Sequence, residues 1–259
     1  MKRFTADFET STWLSDESFV WAWAICEIGN VDNLRIGNSI ETFMELVEKE
    51  NNPVILFHNL KFDGEFILYW LLKNGYEYTE KKERKDRTFS TLISDQGLFY
   101  EIEVYFEVDK KTRKVTFQDS LKIINQSVES IAKTFKLEES KLVIDYNEPR
   151  EYGHILSDEE KEYIKNDVVI VAKAINYLYS IDLTQMTAGS NALHEYKNIL
   201  TKDKFNKIFP KLTFECDEDL RAAYKGGFTY VNTSIEGFDV GGGCVLDVNS
   251  LYPSVLCYV

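Results

Sequence analysis

The chain is poor in proline, cysteine and histidine, with 4 Pro, 4 Cys and 3 His among 259 residues. Because prolines are few and only 13 glycines are present, long disordered linkers are not expected. No two cysteines have Cys-x-x-Cys spacing, which excludes a zinc-ribbon site and favours free thiols in a reducing compartment. The four cysteines are Cys26, Cys216, Cys244 and Cys257.

Long apolar runs are also missing. The longest, residues 19–26, has eight residues, whereas a membrane-spanning helix needs about 20. Met1 to Arg3 lead directly into a polar and acidic segment, so no signal peptide is expected. We therefore expect a cytoplasmic protein that does not bind membranes.

Basic residues are fewer than acidic ones: 30 Lys and Arg oppose 43 Asp and Glu, a net charge of −13. This balance excludes a polybasic protein that coats nucleic acid and disfavours docking on an anionic membrane. Any contact with DNA or RNA must be local, at a site where bound metal ions reverse the charge. The one basic stretch is residues 196–211, with five Lys and one Asp.

Hydrophobic residues make up 44% of the chain, enough for a proper core, and their spacing predicts an α/β fold with a mixed sheet. The first two strands are expected to pair antiparallel, and residues 77–90 and 138–153 to be irregular. Ser157 is predicted to start the last helix with a capping box. Strands are predicted at 3–9, 19–28, 54–57, 91–93, 98–108, 114–119 and 244–247, and helices at 39–49, 66–74, 127–135 and 157–179.

The composition of the chain changes after about residue 186, because the basic stretch 196–211 and the glycines at 226–227 and 241–243 follow. We therefore predict a domain at 1–187 and a second region at 188–259. The second region is small for an independent domain.

Three acidic motifs stand out. Asp7 and Glu9 lie two apart on a predicted strand, so both face one way and can hold divalent cations. Asn59 and Asp63 follow the buried strand 54–57, where α/β folds place site residues, although they can equally serve as loop and capping residues.

The third motif lies on the last predicted helix. Tyr163 and Asp167 share one of its faces, because they are four residues apart. Four apolar residues follow Asp167, which places its carboxylate where the helix enters the core. A carboxylate at such a position needs a partner or a metal ion.

In order and spacing, these motifs resemble the Asp-x-Glu, Asn-x-x-x-Asp and Tyr-x-x-x-Asp motifs of DEDD-type 3′–5′ exonucleases, in the tyrosine subclass. The longer stretches DFET at 7–10, FHNLKFDG at 57–64 and YIKND at 163–167 resemble the proofreading domain of protein-primed family B DNA polymerases of bacteriophages. The resemblance implies a ribonuclease H-like mixed sheet flanked by helices.

The end of the chain agrees with this resemblance. YKGG at 224–227 resembles an element that joins exonuclease and polymerase domains and contacts template DNA. DVNSLYP at 247–253 resembles the first motif of the polymerase palm. It implies that Asp247 binds the metal ion of the incoming nucleotide and that Val248 and Tyr252 border this nucleotide.

The resemblance also implies roles for the acidic motifs. Asp7, Glu9 and Asp167 are expected to bind a first Mg²⁺ or Mn²⁺, and Asp7 to bridge to a second ion held by Asp63. Tyr163 is expected to orient the attacking water.

Further positions match family residues with other roles. The single-stranded 3′ end is expected to contact Thr10, Asn59, Phe62, Ser120 and Leu121. Lys141 and Tyr146 are expected to assist the exonuclease. Template DNA is assigned to Tyr224, Gly226 and Gly227, and the priming terminal protein to His58 and Phe66.

A second palm carboxylate motif, Asp-Thr-Asp, does not occur in the sequence. One palm carboxylate cannot assemble a two-metal polymerase site, so we expect no polymerisation by this chain alone. Three interpretations follow: an exonuclease subunit of a split polymerase completed by a second chain, a truncated polymerase with a working exonuclease, or a non-catalytic module that binds single-stranded DNA or terminal protein. The four acids argue against the third.

Overall fold

The computed structural model forms two compact units, Met1–Phe205 and Asn206–Val259, each described here by itself. The predicted boundary between residues 187 and 188 immediately precedes a helix of the first unit, and it stays a prediction. The structure describes residues 2–11, 18–80, 85–108, 110–146, 148–224, 230, 232–239, 241–244, 246–248 and 250–257.

The first unit contains an eight-stranded mixed sheet in the order β3-β2-β1-β4-β8-β7-β6-β5. The predicted mixed α/β fold is thereby confirmed. Strands β1, β4 and β8 are parallel neighbours, and the pairs β1–β2, β2–β3, β6–β7 and β7–β8 are antiparallel. The strands are β1 (Arg3–Thr10), β2 (Val20–Glu27), β3 (Asn30–Gly37), β4 (Val54–Phe57), β5 (Glu77–Tyr78), β6 (Thr88–Ile93), β7 (Phe99–Val108) and β8 (Lys111–Asp119).

Helices cover both faces of the sheet. On one face α1 and α2 bury Phe43 and Ile67 against strand residues such as Phe8. On the other face α3 and α4 bury Ile131 and Val168. This two-sided cover explains why β4 is apolar throughout. The helices are α1 (Ile40–Lys49), α2 (Leu60–Lys73), α3 (Val128–Thr134), α4 (Asp158–Ser180), α5 (Ala188–Leu200), α6 (Lys202–Ile208), α7 (Phe214–Ala223) and α8 (Leu251–Leu256).

The ends of three helices agree closely with the sequence. The side chain of Ser39 accepts a hydrogen bond from the Thr42 amide at the start of α1, and Ser127 caps α3. Ser157 and Glu160 form the predicted capping box of α4, so this long helix begins where its sequence predicts.

Helix α2 begins at Leu60, six positions before the predicted start at Phe66. Gly64 lies within the added residues, and glycine inside a helix is usually unfavourable. In the structure Gly64 is buried, and a Cβ there would lie 3.2 Å from Ile102 and 3.3 Å from Phe99. The glycine therefore lets the first turn of α2 approach β7 closely.

Two strands were missed. The polar β3 pairs with β2 at the edge of the sheet, where half-exposed side chains weaken the apolar pattern. The predicted loop at 77–90 is also wrong in part, because β5 and the start of β6 lie within it. Thr88, Phe89 and Ser90 are buried although they follow a densely charged segment.

In the second unit the predicted strand at 244–247 is wrong for its described residues. Cys244, Leu246 and Asp247 belong to no strand. A strand needs a neighbour for its hydrogen bonds, and the described residues after 205 contain none. Within the described ranges, none of the helices combines the length and apolar character that crossing a membrane requires.

Candidate metal centre

Strand β1 presents Asp7 and Glu9 on the same face. Phe8, between them, points to the opposite face, where its ring lies 4.8 Å from that of Phe43 and 4.9 Å from that of Phe57. Because side chains alternate along a strand, this aromatic packing directs both carboxylates toward the face covered by α4.

Helix α4 brings Asp167 to these two acids. One carboxylate oxygen from each of Asp7, Glu9 and Asp167 lies within 4.8 Å of the others. Glu9 and Asp167 are buried, and Asp7 is partly buried. We refer to these three residues as the acidic cluster.

Asp63 lies in the first turn of α2 and is 3% exposed. It is not one of the three acids whose carboxylate oxygens lie within 4.8 Å of one another. Its carboxyl group nevertheless interacts with the charge of Asp7 and with the backbone of Phe8. Asp63 therefore lies beside the cluster, on the side of α2.

The carboxylates of the site repel one another in a poorly hydrated place. Burial, together with the charge of Asp167, raises the pKa of Asp7 to about 7. Burial and the charges of Asp7 and Asp167 raise the pKa of Glu9 to about 9. Burial also raises the pKa of Asp63 and of Asp167. Without a cation, the site therefore favours protonated carboxyl groups near neutral pH.

A hard divalent cation fits this set of ligands. Oδ1 of Asp63 and Oδ1 of Asp167 are buried and have no hydrogen-bond partner among the described residues. Buried carboxylate oxygens without partners are costly, and oxygen ligands are those that Mg²⁺ and Mn²⁺ prefer. The four acids could thus hold metal ions.

Lys141 and Tyr146 reach the same place from the irregular segment before α4. The ammonium group of Lys141 donates to Oδ2 of Asp167 at 2.7 Å. Although burial lowers the pKa of Lys141, this hydrogen bond and the nearby carboxylates raise it overall. Lys141 is therefore a fixed positive charge beside the acidic cluster.

The hydroxyl oxygens of Tyr146 and Tyr163 lie 2.5 Å apart. Tyr163 is 3% exposed, and burial raises its pKa, so its phenol is neutral. The structure thus brings together both predicted tyrosines, the predicted lysine and the acids.

A second group of predicted residues meets where β4 and β8 end. Phe57 pairs with Asp119 in the parallel register, so the residues that follow each strand are neighbours. His58 Nδ1 lies 3.0 Å from the hydroxyl of Ser120, and burial lowers the pKa of His58. The side chain of Phe62 is 51% exposed.

Asp119 organises this second group and was not among the predicted site residues. Its buried Oδ1 accepts hydrogen bonds from the backbone amides of Asn59, at 3.1 Å, and Leu121, at 2.9 Å. It thereby supports Asn59 in a left-handed backbone conformation, with φ of 83°. An aspartate at the end of a predicted strand was the available signal. Its bond from Leu121 is local, but its bond from Asn59 depends on tertiary structure.

The remaining predicted residues belong to neither of these two groups or are outside the described residues. Thr10 is buried at the end of β1. Tyr224, Asp247, Val248 and Tyr252 have exposed side chains in the second unit. Gly226 and Gly227 lie outside the described residues. The roles assigned to these residues stay predictions.

The family model "DNA polymerase type B, organellar and viral" matches residues 46–157 and 143–258. The chain belongs to this polymerase family. Among curated type B relatives, the DNA polymerases of Bacillus phage M2, Bacillus phage phi29 and Streptococcus phage Cp-1 are 46%, 41% and 30% identical to it. The predicted resemblance to bacteriophage polymerases is confirmed.

Each of these three alignments covers 98% of this chain but 44% of the relative. The chain thus spans less than half the length of these curated type B polymerases and corresponds to their N-terminal part. Solved structures of Phi29 DNA polymerase, complexed with single-stranded DNA or with primer-template DNA, match with TM-scores of 0.85 and 39% identity. They too are matched over 98% of this chain and 44% of theirs.

Proposed function

We propose that this chain is the 3′–5′ exonuclease part of a protein-primed viral DNA polymerase and removes nucleotides from a single-stranded 3′ end. The observation that carries the proposal is the acidic cluster of Asp7, Glu9 and Asp167, with Asp63 buried beside it. Its ligand atoms come from a central strand and a long helix, which are rigid supports for a reaction that depends on position.

Asp7, Glu9 and Asp167 would hold one divalent ion, and Asp63 together with Asp7 a second. When bound, two such ions would lower the pKa of a bound water and stabilise the leaving 3′ oxygen. The neutral phenol of Tyr163 lies one helical turn before Asp167 and can orient this water by a hydrogen bond. The ammonium group of Lys141 offsets negative charge that the scissile phosphate brings to the site.

The surroundings favour a single strand over a duplex. The exposed ring of Phe62 offers an apolar face for an unpaired base. A net charge of −13 opposes broad contact with duplex phosphates, whereas one phosphate at a metal site is accommodated. One of the matched structures is Phi29 DNA polymerase complexed with single-stranded DNA, which supports single-stranded DNA as a ligand.

The same family membership supports a wider role in viral DNA replication. We propose that Tyr224, Gly226 and Gly227 contact template DNA and that Asp247, Val248 and Tyr252 contribute to a nucleotide site. That site is completed by polymerase residues that this sequence does not contain, supplied by a longer or a second chain. His58 and Phe66 are proposed contacts for a terminal protein primer.

The test uses a 5′-labelled single-stranded oligonucleotide with Mg²⁺, Mn²⁺ or EDTA. We expect stepwise shortening from the 3′ end that needs metal and is abolished in Asp7→Ala/Glu9→Ala. Asp158→Asn is the matched control, because this acid also lies on α4 but is fully exposed, and its activity should equal wild type. Binding of the oligonucleotide without shortening would refute the exonuclease and favour a non-catalytic binding module.

A further inference from the structure

Arg150 is a buried cation outside the acidic cluster. It is 3% exposed although it lies in the irregular stretch between residue 138 and α4, whose neighbouring side chains are mostly exposed. Burying a guanidinium group is costly unless its N–H donors form hydrogen bonds. The groups that accept these hydrogen bonds therefore indicate which part of the structure the buried arginine holds.

One side of the guanidinium group is anchored to the body of the fold. Nε donates to Oε1 of Glu160 at 2.6 Å, and the group lies 4.5 Å from the ring centre of Trp21 on β2. Oε2 of Glu160 accepts the Ser157 amide at 2.9 Å within the capping box of α4. Arg150 is therefore fixed to the first turn of α4 and to the sheet at once.

The other side of the guanidinium group holds the irregular chain. NH1 donates to the backbone carbonyl of Asp145 at 2.8 Å and to that of Glu148 at 3.1 Å. These two carbonyls flank Tyr146 in the sequence. Arg150 thus acts as a brace on both sides of this tyrosine.

Packing alone does not hold this chain. The side chain of Tyr146 is 47% exposed, and a cleft of about 670 Å³ runs beside the segment. Its lining includes Leu142, Asp145, Glu148, Arg150 and Tyr163. The hydrogen bonds from Arg150 to the carbonyls of Asp145 and Glu148 therefore help to fix the backbone beside Tyr146.

We infer that Arg150 is a positioning residue for the reaction: it holds the backbone at Asp145 and at Glu148 so that the Tyr146 hydroxyl meets the Tyr163 hydroxyl, and Tyr163 is thereby oriented toward the acidic cluster. The catalytic part of this inference rests on the proposed exonuclease. Lysine cannot replace Arg150, because an ammonium group lacks the planar fork that serves Glu160, the two carbonyls and the Trp21 ring together.

The first experiment detects a change in the position of Tyr146 and does not depend on nuclease activity. In protein labelled with ¹³C at tyrosine Cζ, Tyr146→Phe shifts the Tyr163 resonance by removing its partner. We expect Arg150→Lys to shift this resonance in the same direction. An unchanged Tyr163 resonance in folded Arg150→Lys would overturn the inference, whether or not the chain is a nuclease.

The second experiment measures kcat and KM on single-stranded DNA. We expect Arg150→Lys to lower kcat at least tenfold with KM and Mg²⁺ affinity nearly unchanged, since β1 and α4 still hold the acids. The kcat of the double variant Arg150→Lys/Tyr146→Phe should equal that of the single variant with the lower kcat, because both changes act through one hydroxyl pair. Multiplied losses, or a wild-type kcat in Arg150→Lys, would contradict the inference.

Two controls distinguish a failure of the inference from a failure of folding and from a failure of the proposed function. If Arg150→Lys does not fold, Glu160→Gln replaces it, because the amide has one acceptor oxygen for two donors and so weakens the brace while the arginine stays. If the wild-type chain releases no nucleotides, the exonuclease proposal fails, and the Tyr163 resonance still decides whether Arg150 places Tyr146.

Discussion

The hydroxyl group of Thr5 donates a hydrogen bond to the backbone carbonyl of Val168, with 2.8 Å between the two oxygens. Both residues are buried. Thr5 precedes Asp7 by two positions on β1, and Val168 follows Asp167 directly on α4. This bond therefore directly joins the two elements that carry the acidic cluster.

We expect Thr5→Val to lower the free energy of unfolding by about 1 kcal/mol, the typical loss for one buried hydrogen bond. Because β1 and α4 are then less firmly joined, the variant should also bind Mg²⁺ more weakly. Urea unfolding and calorimetric Mg²⁺ titration measure the two effects. Thr5→Ser keeps the hydroxyl and should bind Mg²⁺ like wild type; equal losses in both variants would argue against this bond.

The stability of the metal-free protein should fall as the pH rises. Asp7 and Glu9 have raised pKa values in the folded chain, about 7 and about 9, so the folded state binds more protons than the unfolded state above the ordinary carboxyl range near pH 4. Their contribution is complete below that range and is lost as the pH rises through about 7 to 9. Melting temperatures in EDTA across this interval measure the loss.

Added Mg²⁺ should reverse this trend, because the cation takes the place of the protons. The rise in melting temperature produced by Mg²⁺ is therefore expected to grow with pH. Asp7→Asn/Glu9→Gln, which removes both titrating groups, should flatten the dependence in EDTA and abolish the Mg²⁺ effect. A Mg²⁺ effect that is the same at low and high pH would show that these carboxyl groups are not the ligands.

Much of the fold could be predicted from local sequence. The four apolar residues of β4, the capping box at Ser157 and the strand β1 each depend on neighbours in the chain, and each prediction is confirmed. The spacing of the three acidic motifs also pointed to residues that the structure brings together.

What local sequence could not show depends on distant partners. Strand β3 is recognisable only beside β2, and the reason for a glycine at position 64 of α2 becomes visible only where β7 lies against it. Asp119 and Arg150 look like ordinary loop residues until the backbone amides and carbonyls that they bind are in place. Each combines local bonds with a distant contact, to Asn59 for Asp119 and to Trp21 for Arg150, and no motif announces the distant one.

Asp119→Ala should destabilise the chain by about 2 to 4 kcal/mol, because it removes the charged acceptor of two part-buried hydrogen bonds, from the amides of Asn59 and Leu121. Asp119→Asn keeps an acceptor oxygen and should lose less. If Asn59 and Leu121 bind the single-stranded end, Asp119→Asn should raise KM several-fold while kcat stays within about twofold of wild type. A lower kcat with unchanged KM would instead connect Asp119 to the chemical step.

Lys141→Met should change Mg²⁺ affinity and kcat in opposite directions. Lys141 occupies Oδ2 of Asp167, so its removal should tighten Mg²⁺ binding at pH 8 by up to about tenfold through the loss of a nearby positive charge. The same change should lower kcat, since the phosphate loses a compensating cation. Lys141→Arg keeps the charge and should show wild-type Mg²⁺ affinity; weaker Mg²⁺ binding in Lys141→Met would contradict this account.

The bond from Thr5 to Val168 joins positions that are 163 residues apart. During synthesis, Asp7 and Glu9 leave the ribosome early, but Asp167 follows only when most of the first unit has been translated. A nascent chain therefore carries Asp7, Glu9 and Asp63 long before it can assemble the centre. Degradation of DNA, if it depends on this centre, cannot begin on the ribosome until α4 has emerged and docked against β1.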